Sequence, residues 1–368
     1  MMGRRSWGLI FVVFAGCADA GGHASSQDST GGLALEAASG ARLIVAGGNG
    51  VRIWDDATGI TADVAPDAAL AGIDGPASGV ALDADTLLVT SSGASAVYRF
   101  EGASTLGDGA TPASAVPTSA FGGTLSALSL QVDGRGSLWI QSGSRIRVLP
   151  RNAAAPSASF SHPWQGLEGM AYDEASDTLY GGQIQGAGLL AWTHASSRTG
   201  DAGSDYRLAD VSAWHLKLAG GRLFGSSYSN PVVIWNDIST VTGPKAPDVQ
   251  LTGLCDEGGV HGEIRYLTVH DDTLVVIHQA RVNDELTEKV CLFHDAHALS
   301  GLRAPDAVAR HDLRSSVYYD KAQLTGDGHL FVRDKTGIAI FKDATTAPVF
   351  VTRLTNGMTD AADFVVLE

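Results

Sequence analysis

"RLFGSSYSNPVVIWND" spans residues 222–237. Two short apolar runs flank a Ser/Tyr/Asn/Pro connection, and the second run ends in a bulky residue, Trp235, followed by a polar pair. Small polar residues between two such runs supply the turn conformations of a β-hairpin. The figure recurs along the chain. Its second half stands at VRIWDD (51–56), VYRFEG (97–102), IRVLPR (146–151), LLAWTH (189–194), VVIWND (232–237), VCLFHD (290–295) and IAIFKD (338–343). The marker residues are Trp54, Phe100, Leu149, Trp192, Trp235, Phe293 and Phe341, spaced by 46, 49, 43, 43, 58 and 48 residues. A unit of that length is the size of a propeller blade.

Around each marker hairpin the sequence supplies two further strands. Upstream lies an apolar strand with a tight acidic or glycine turn, as in GVALDADTLL (79–88) and GMAYDEASDTL (169–179). Downstream comes a looser strand such as DVQLTG (248–253) or VFVTRL (349–354). The first unit opens directly on its second strand, and the last residues, ADFVVLE (362–368), form a spare strand of the missing type. The expectation is an all-β, seven-bladed β-propeller of four-stranded blades over residues 41–368. The C-terminal strand completes the first blade, which closes the ring and hides both edges. This pattern resembles bacterial β-propellers of the NHL, YVTN and WD-repeat-like superfamily. The resemblance carries architecture and no chemistry.

The amino terminus reads as an address. In MMGRRSWGLIFVVFAGC (1–17), Arg4 and Arg5 precede an apolar stretch of signal-peptide length, which ends in Phe14-Ala15-Gly16-Cys17. This resembles the lipobox of bacterial lipoproteins, with Phe14 where Leu is usual. The resemblance implies cleavage after residue 16, lipidation of Cys17, and an anchor in the cell envelope. Ala18 in place of a retaining aspartate implies the outer membrane. Residues 17–40 are small, polar and glycine-rich, as a flexible tether would be. Loss of Arg4 and Arg5 takes the net charge from −15 to −17. An acidic chain with a pI of about 5.0 argues against nucleic acid as a partner. The expected partners are other envelope proteins or a small ligand, with the membrane reached through the lipid and the chain a monomer. Cys255 and Cys291 remain after Cys17. In an oxidising compartment an even pair favours a disulfide, the other reading being two separate buried thiols.

No G-x-S-x-G, phosphate-binding loop, H-E-x-x-H or EF-hand spacing occurs. Glu168 precedes an inner strand, whereas Asp173 and Asp177 fall in the turn that follows it. Counting back equally in other units gives Ser78, Leu128, Trp214, Arg265, Asp320 and Asp363. Glu168, Arg265, Asp320 and Asp363 are therefore candidate residues of a channel mouth, with Trp214 a candidate stacking platform. An "EG" pair opening an inner strand also resembles the esterase-like phytases and the regucalcin–gluconolactonase lineage. There the resemblance implies a divalent metal on the glutamate and a hydrolase or lactonase activity, but the Asn ligands of those families have no equivalent here. The histidines of unit six, His261, His270, His278, His294 and His297, match no zinc spacing. No cofactor is expected on this reading; a divalent metal at the channel mouth belongs to the hydrolase alternative. Unit six is the longest, and its excess lies in 254–266 and 278–293, where recognition is expected.

Overall fold

The computed structural model describes residues 40–91, 94, 96–121, 127–162, 169–182, 188–201, 203–208, 213, 215–226, 231–256, 262–282, 285–313, 321–334, 336–358 and 361–368. Residues 1–39, which include Cys17, lie outside them. The described residues form seven antiparallel blades. Blade one takes its inner strand from the C-terminus, Asp363–Leu367, and its other three from Arg42–Gly47, Gly50–Trp54 and Ala68–Ala69. The inner strands of blades two to seven are Ala77–Asp83, Ala127–Val132, Gly169–Asp173, His215–Ala219, Gly262–His270 and Lys321–Leu324. Successive inner strands touch one another all the way round, blade seven meeting the C-terminal strand and that strand meeting blade two. One addition was not foreseen: Thr199–Gly200 pairs in parallel with Ala158–Ser161 at the outer edge of blade three.

The apolar clusters explain why the marker residues recur. Each of the seven clusters lies between two blades, and each marker packs against the blade before its own. Trp235 of blade five joins Tyr180, Leu189 and Ala191 of blade four. Trp54 of blade one joins Phe331, Ile338 and Ile340 of blade seven. The other five markers do the same at the remaining interfaces. Third strands are therefore buried on both faces. In blade five Val233 and Trp235 face blade four, whereas Val232 and Ile234 face blade six. A strand covered on both sides reads as a largely apolar run, as in VVIW (232–235) and IAIF (338–341), while Arg52, Arg99 and Arg147 interrupt the run in blades one to three.

Polar groups join the same blades. Beyond each marker the chain passes through a left-handed residue, as at Asp56, Asp237 and Asp295, and in blades one, two, four, five and six this leads into a short 3-10 turn. Arg222, buried at the head of a second strand, donates to Ala296 O at 2.5 Å and to Leu299 O at 2.8 Å in the next blade's turn. Asn236 Oδ1 holds its Nε at 2.7 Å. Arg42 repeats this with Ala103 O, Leu106 O and Asp55. A guanidinium suits the place because its fork reaches two carbonyls while its stem packs among apolar neighbours. Asp177 has φ near 49°, accepts from Ser196 N at 3.0 Å, and so caps the 3-10 turn of its own blade. Asp85 does so for Ser104 at 2.7 Å and Asp272 for His297 at 2.8 Å. Asp173 accepts from Ser176, and Glu174 pairs with Arg135 of blade three at 2.7 Å. The three acids after Glu168 thus all have structural partners.

Candidate functional site

Strand register sorts the inner-strand residues into levels. Each second strand has a leucine opposite the marker of the third, and the residue three places further on pairs with the first level of the inner strand. That level consists of Asp363, Gly79, Ser129, Gly169, His215, Tyr266 and Lys321. Ser78, Leu128 and Arg265 sit one residue before it, each at a β-bulge. In blade one that preceding place belongs to Ala362, so Asp363 does not share a level with Arg265. The shift arises because the C-terminal strand is not followed in sequence by the turn and second strand of its blade, from which the other blades are counted back. Glu168, Asp320 and Trp214 lie outside the described residues.

Asp363 is fully engaged. Its carboxylate accepts from Lys321 Nζ at 2.6 Å, from Val80 N of blade two at 3.0 Å and from its own strand at Phe364 N at 2.8 Å. Lys321 also donates to Phe364 O at 2.6 Å. One residue thus links blades seven, one and two where the ends of the chain meet. Arg265 is buried and lies 3.5 Å from Glu263 of its own strand. Among the described residues no cluster of three or more His, Cys, Asp or Glu side chains could hold a metal.

The polar groups gather instead on the arc of blades five to one. His215 meets Tyr266 edge to face, ring centroids 5.3 Å apart. Burial first, and the Arg265 charge second, push the His215 imidazole down to about 4, so it is neutral at pH 7. Burial and the Asp363 charge push the Tyr266 phenol up, against a hydrogen bond with Thr268. One level deeper, Lys217 is lowered by burial and then by the charge of Lys321. Blades two and four place only Gly79, Gly169, Ala81 and Ala171 at these two levels. At the second level of blades three and seven, Gln131 accepts from Tyr172 N at 3.2 Å and Gln323 exchanges bonds with Val366, each tying its blade to the next.

Blade six departs from its sisters. Its strands run nine, ten, nine and seven residues, Gly262–His270, Thr273–Val282, Glu285–Phe293 and Ala307–Leu313, against two to seven elsewhere. The sequence placed excess length here, and the structure spends it on a longer hairpin. Because Gly262 pairs with Ala280, this hairpin rises on the face where the inner strands begin. Gln279 donates to Glu288 at 3.0 Å across it. At its foot Cys255, beyond the outer strand of blade five, is bonded to Cys291 in blade six. The bond crosses an interface between blades, and closing a loop of that size stabilises by about 3–4 kcal/mol in the chain-entropy model. The adjacent His278 is buried and lies 3.0 Å from Asp256. His294 reaches Thr345 O of blade seven at 2.9 Å, and His297 pairs with Asp272, so both serve the scaffold. His261 lies outside the described residues.

Fold, closure and inner-strand levels together define a seven-bladed β-propeller with a polar arc on one side of its channel. Among solved structures, hydrazine synthase of Kuenenia stuttgartiensis is similar, with a TM-score of 0.55 and 11% identity over 78% of this chain and 88% of that one. The computationally designed Ika8 protein gives a TM-score of 0.47 and 8% identity over 78% and 89%. At such identities the likeness is one of fold alone. No family model and no curated protein sequence matches the chain.

Proposed function

We propose that this chain is a lipid-anchored binding module of the bacterial cell envelope, held through Cys17 at the outer membrane, with the propeller as a rigid scaffold. The observation that carries the binding reading is the blade-six hairpin, stapled at its foot by Cys255–Cys291 and raised on the face where the inner strands begin. Added length on a rigid frame is where recognition concentrates. The signal-like segment and tether at 1–40 support the address.

The test is crosslinking in intact envelopes followed by purification of the chain. Three forms are compared: the native chain, Cys17→Ser, and a chain with residues 281–286 replaced by a two-residue turn. The native chain is expected to sediment with membranes and enrich a protein or ligand. Cys17→Ser should leave the membrane fraction, and the shortened hairpin should lose the partner. Equal recovery of every species from native and shortened chains contradicts the reading.

A further inference from the structure

We propose that Asn356 is a site of spontaneous deamidation, placed so that its conversion to isoaspartate loosens the seam between blades seven and one. The chain contains two Asn-Gly pairs, Asn49-Gly50 and Asn356-Gly357. Remote in sequence, they meet in the fold: Asn49 donates from Nδ2 to Gly357 O at 2.7 Å, across 308 positions. Asn49 stands in the hairpin turn between Arg42–Gly47 and Gly50–Trp54 of blade one. Gly357 lies just beyond Val349–Leu354, the outer strand of blade seven.

The two pairs differ in what holds them. Asn356 and Gly357 are both exposed. Thr355 O accepts from Met358 N at 3.3 Å and Gly357 has φ near 72°, so Asn356 is the second residue of a type II turn. Among the described residues neither the Asn356 side-chain amide nor Gly357 N makes a hydrogen bond. Glycine also has no Cβ to shield its nitrogen from the neighbouring carbonyl carbon. Gly357 N, giving up its proton, bonds to Asn356 Cγ; the Cγ–Nδ2 bond breaks and the nitrogen leaves as ammonia. Water then opens the cyclic imide at either carbonyl, giving aspartate or isoaspartate. Amide and water thus become carboxylate and ammonium, with no oxidant or other reactant. At Asn49 the leaving nitrogen is tied to Gly357 O, and Gly50 is held in the ladder opposite Gly47.

The turn at 355–357 has little slack. Asp63 of blade one accepts from Thr355 N at 2.9 Å, from Asn356 N at 3.0 Å and from the Thr355 hydroxyl. A Cβ on Gly357 would lie 2.7 Å from Pro66 Cδ, so blade one also closes over the glycine. Isoaspartate routes the main chain through the former side chain, which inserts a methylene before Gly357 and leaves a new carboxylate beside Asp63. Gly357 O is then carried away from the Asn49 amide, and two like charges face each other across the seam. Asn49 loses the bond that retarded its own conversion.

The experiment ages the full purified chain and Asn356→Gln for several weeks at neutral pH, with peptide mapping by mass spectrometry and melting temperature as readouts. Glutamine keeps the amide but must close a larger ring, which is slower. Residue 356 of the native chain is expected to show the amide-to-acid mass change, with isoaspartate as the main product. Asn49 should lag by about fivefold, the factor supplied by one ordinary hydrogen bond. In Asn356→Gln, Asn49 should convert more slowly than in the aged native chain, and the melting temperature should hold while that of the native chain falls. Retention of the amide at Asn356, or earlier conversion of Asn49, overturns the proposal. So does conversion at Asn356 with no fall in melting temperature, or an equal fall in Asn356→Gln. None of these outcomes bears on the envelope crosslinking, so the binding-module reading stands or falls separately.

Discussion

A chain ending at Ala362 is expected to lose its cooperative unfolding transition and to elute from gel filtration as aggregate. The missing strand, Asp363–Leu367, pairs along Arg42–Ala46 and buries Phe364 and Val366. Removing a buried Phe side chain alone costs about 3–5 kcal/mol, against a total stability of about 5–15 kcal/mol for a typical domain. Other losses follow. Lys321 and Gln323 of blade seven give up their partners in the C-terminal strand. The strand Arg42–Gly47, buried throughout, becomes a bare apolar edge, the arrangement that leads to edge-to-edge association. Circular dichroism on heating, together with the elution volume, checks this. A monomer melting within a few degrees of the parent would show that the ring does not depend on joining its ends.

Trp235→Ala is expected to lower stability by about 3–5 kcal/mol, read from the urea midpoint. Trp235 is fully buried, and its indole N–H donates to Lys245 O at 3.0 Å. The void opens between blades four and five, where Tyr180, Leu189 and Val241 line the ring. Each blade touches its neighbours through such an interface, and a rigid ring cannot slide shut on one gap. Trp235→Phe should cost less, about 1–2 kcal/mol, since most of the volume stays and one hydrogen bond goes. A loss below about 1 kcal/mol in Trp235→Ala would mean that the marker residues do not hold the blades together.

The markers were legible in the sequence because one physical demand recurs seven times. A third strand covered on both faces must be largely apolar and must end in a plug for the preceding blade. The closure was legible for the same reason: an unpaired strand type at one end matched a gap at the other. Two other repeated devices were present and passed over. Asp67, Asp205, Asp248 and Asp306 each follow a marker by thirteen residues and accept the N–H just beyond it at 2.7–2.8 Å. The Arg-Leu pairs at 42–43 and 222–223 announce the guanidinium clamps. Both signals are single polar residues at long spacing, and hydrophobic periodicity does not detect them.

The channel was harder to read. Level in a propeller depends on strand register, and a β-bulge moves that register by one residue without altering composition. The C-terminal strand has no turn and second strand after it in sequence to count back from, which explains why equal counting set Asp363 beside the wrong neighbours.

Hydrogen–deuterium exchange of the native chain over Arg42–Gly47 tests the closed ring most directly. In a ring completed by the C-terminal strand, this segment is an interior strand with pairing on both sides. Its amides should then be protected as strongly as those of the equivalent strand of blade five, Arg222–Ser226. Fast exchange at alternate amides of Arg42–Gly47, the signature of a free edge, would contradict the closure and with it the levels from which the channel is built.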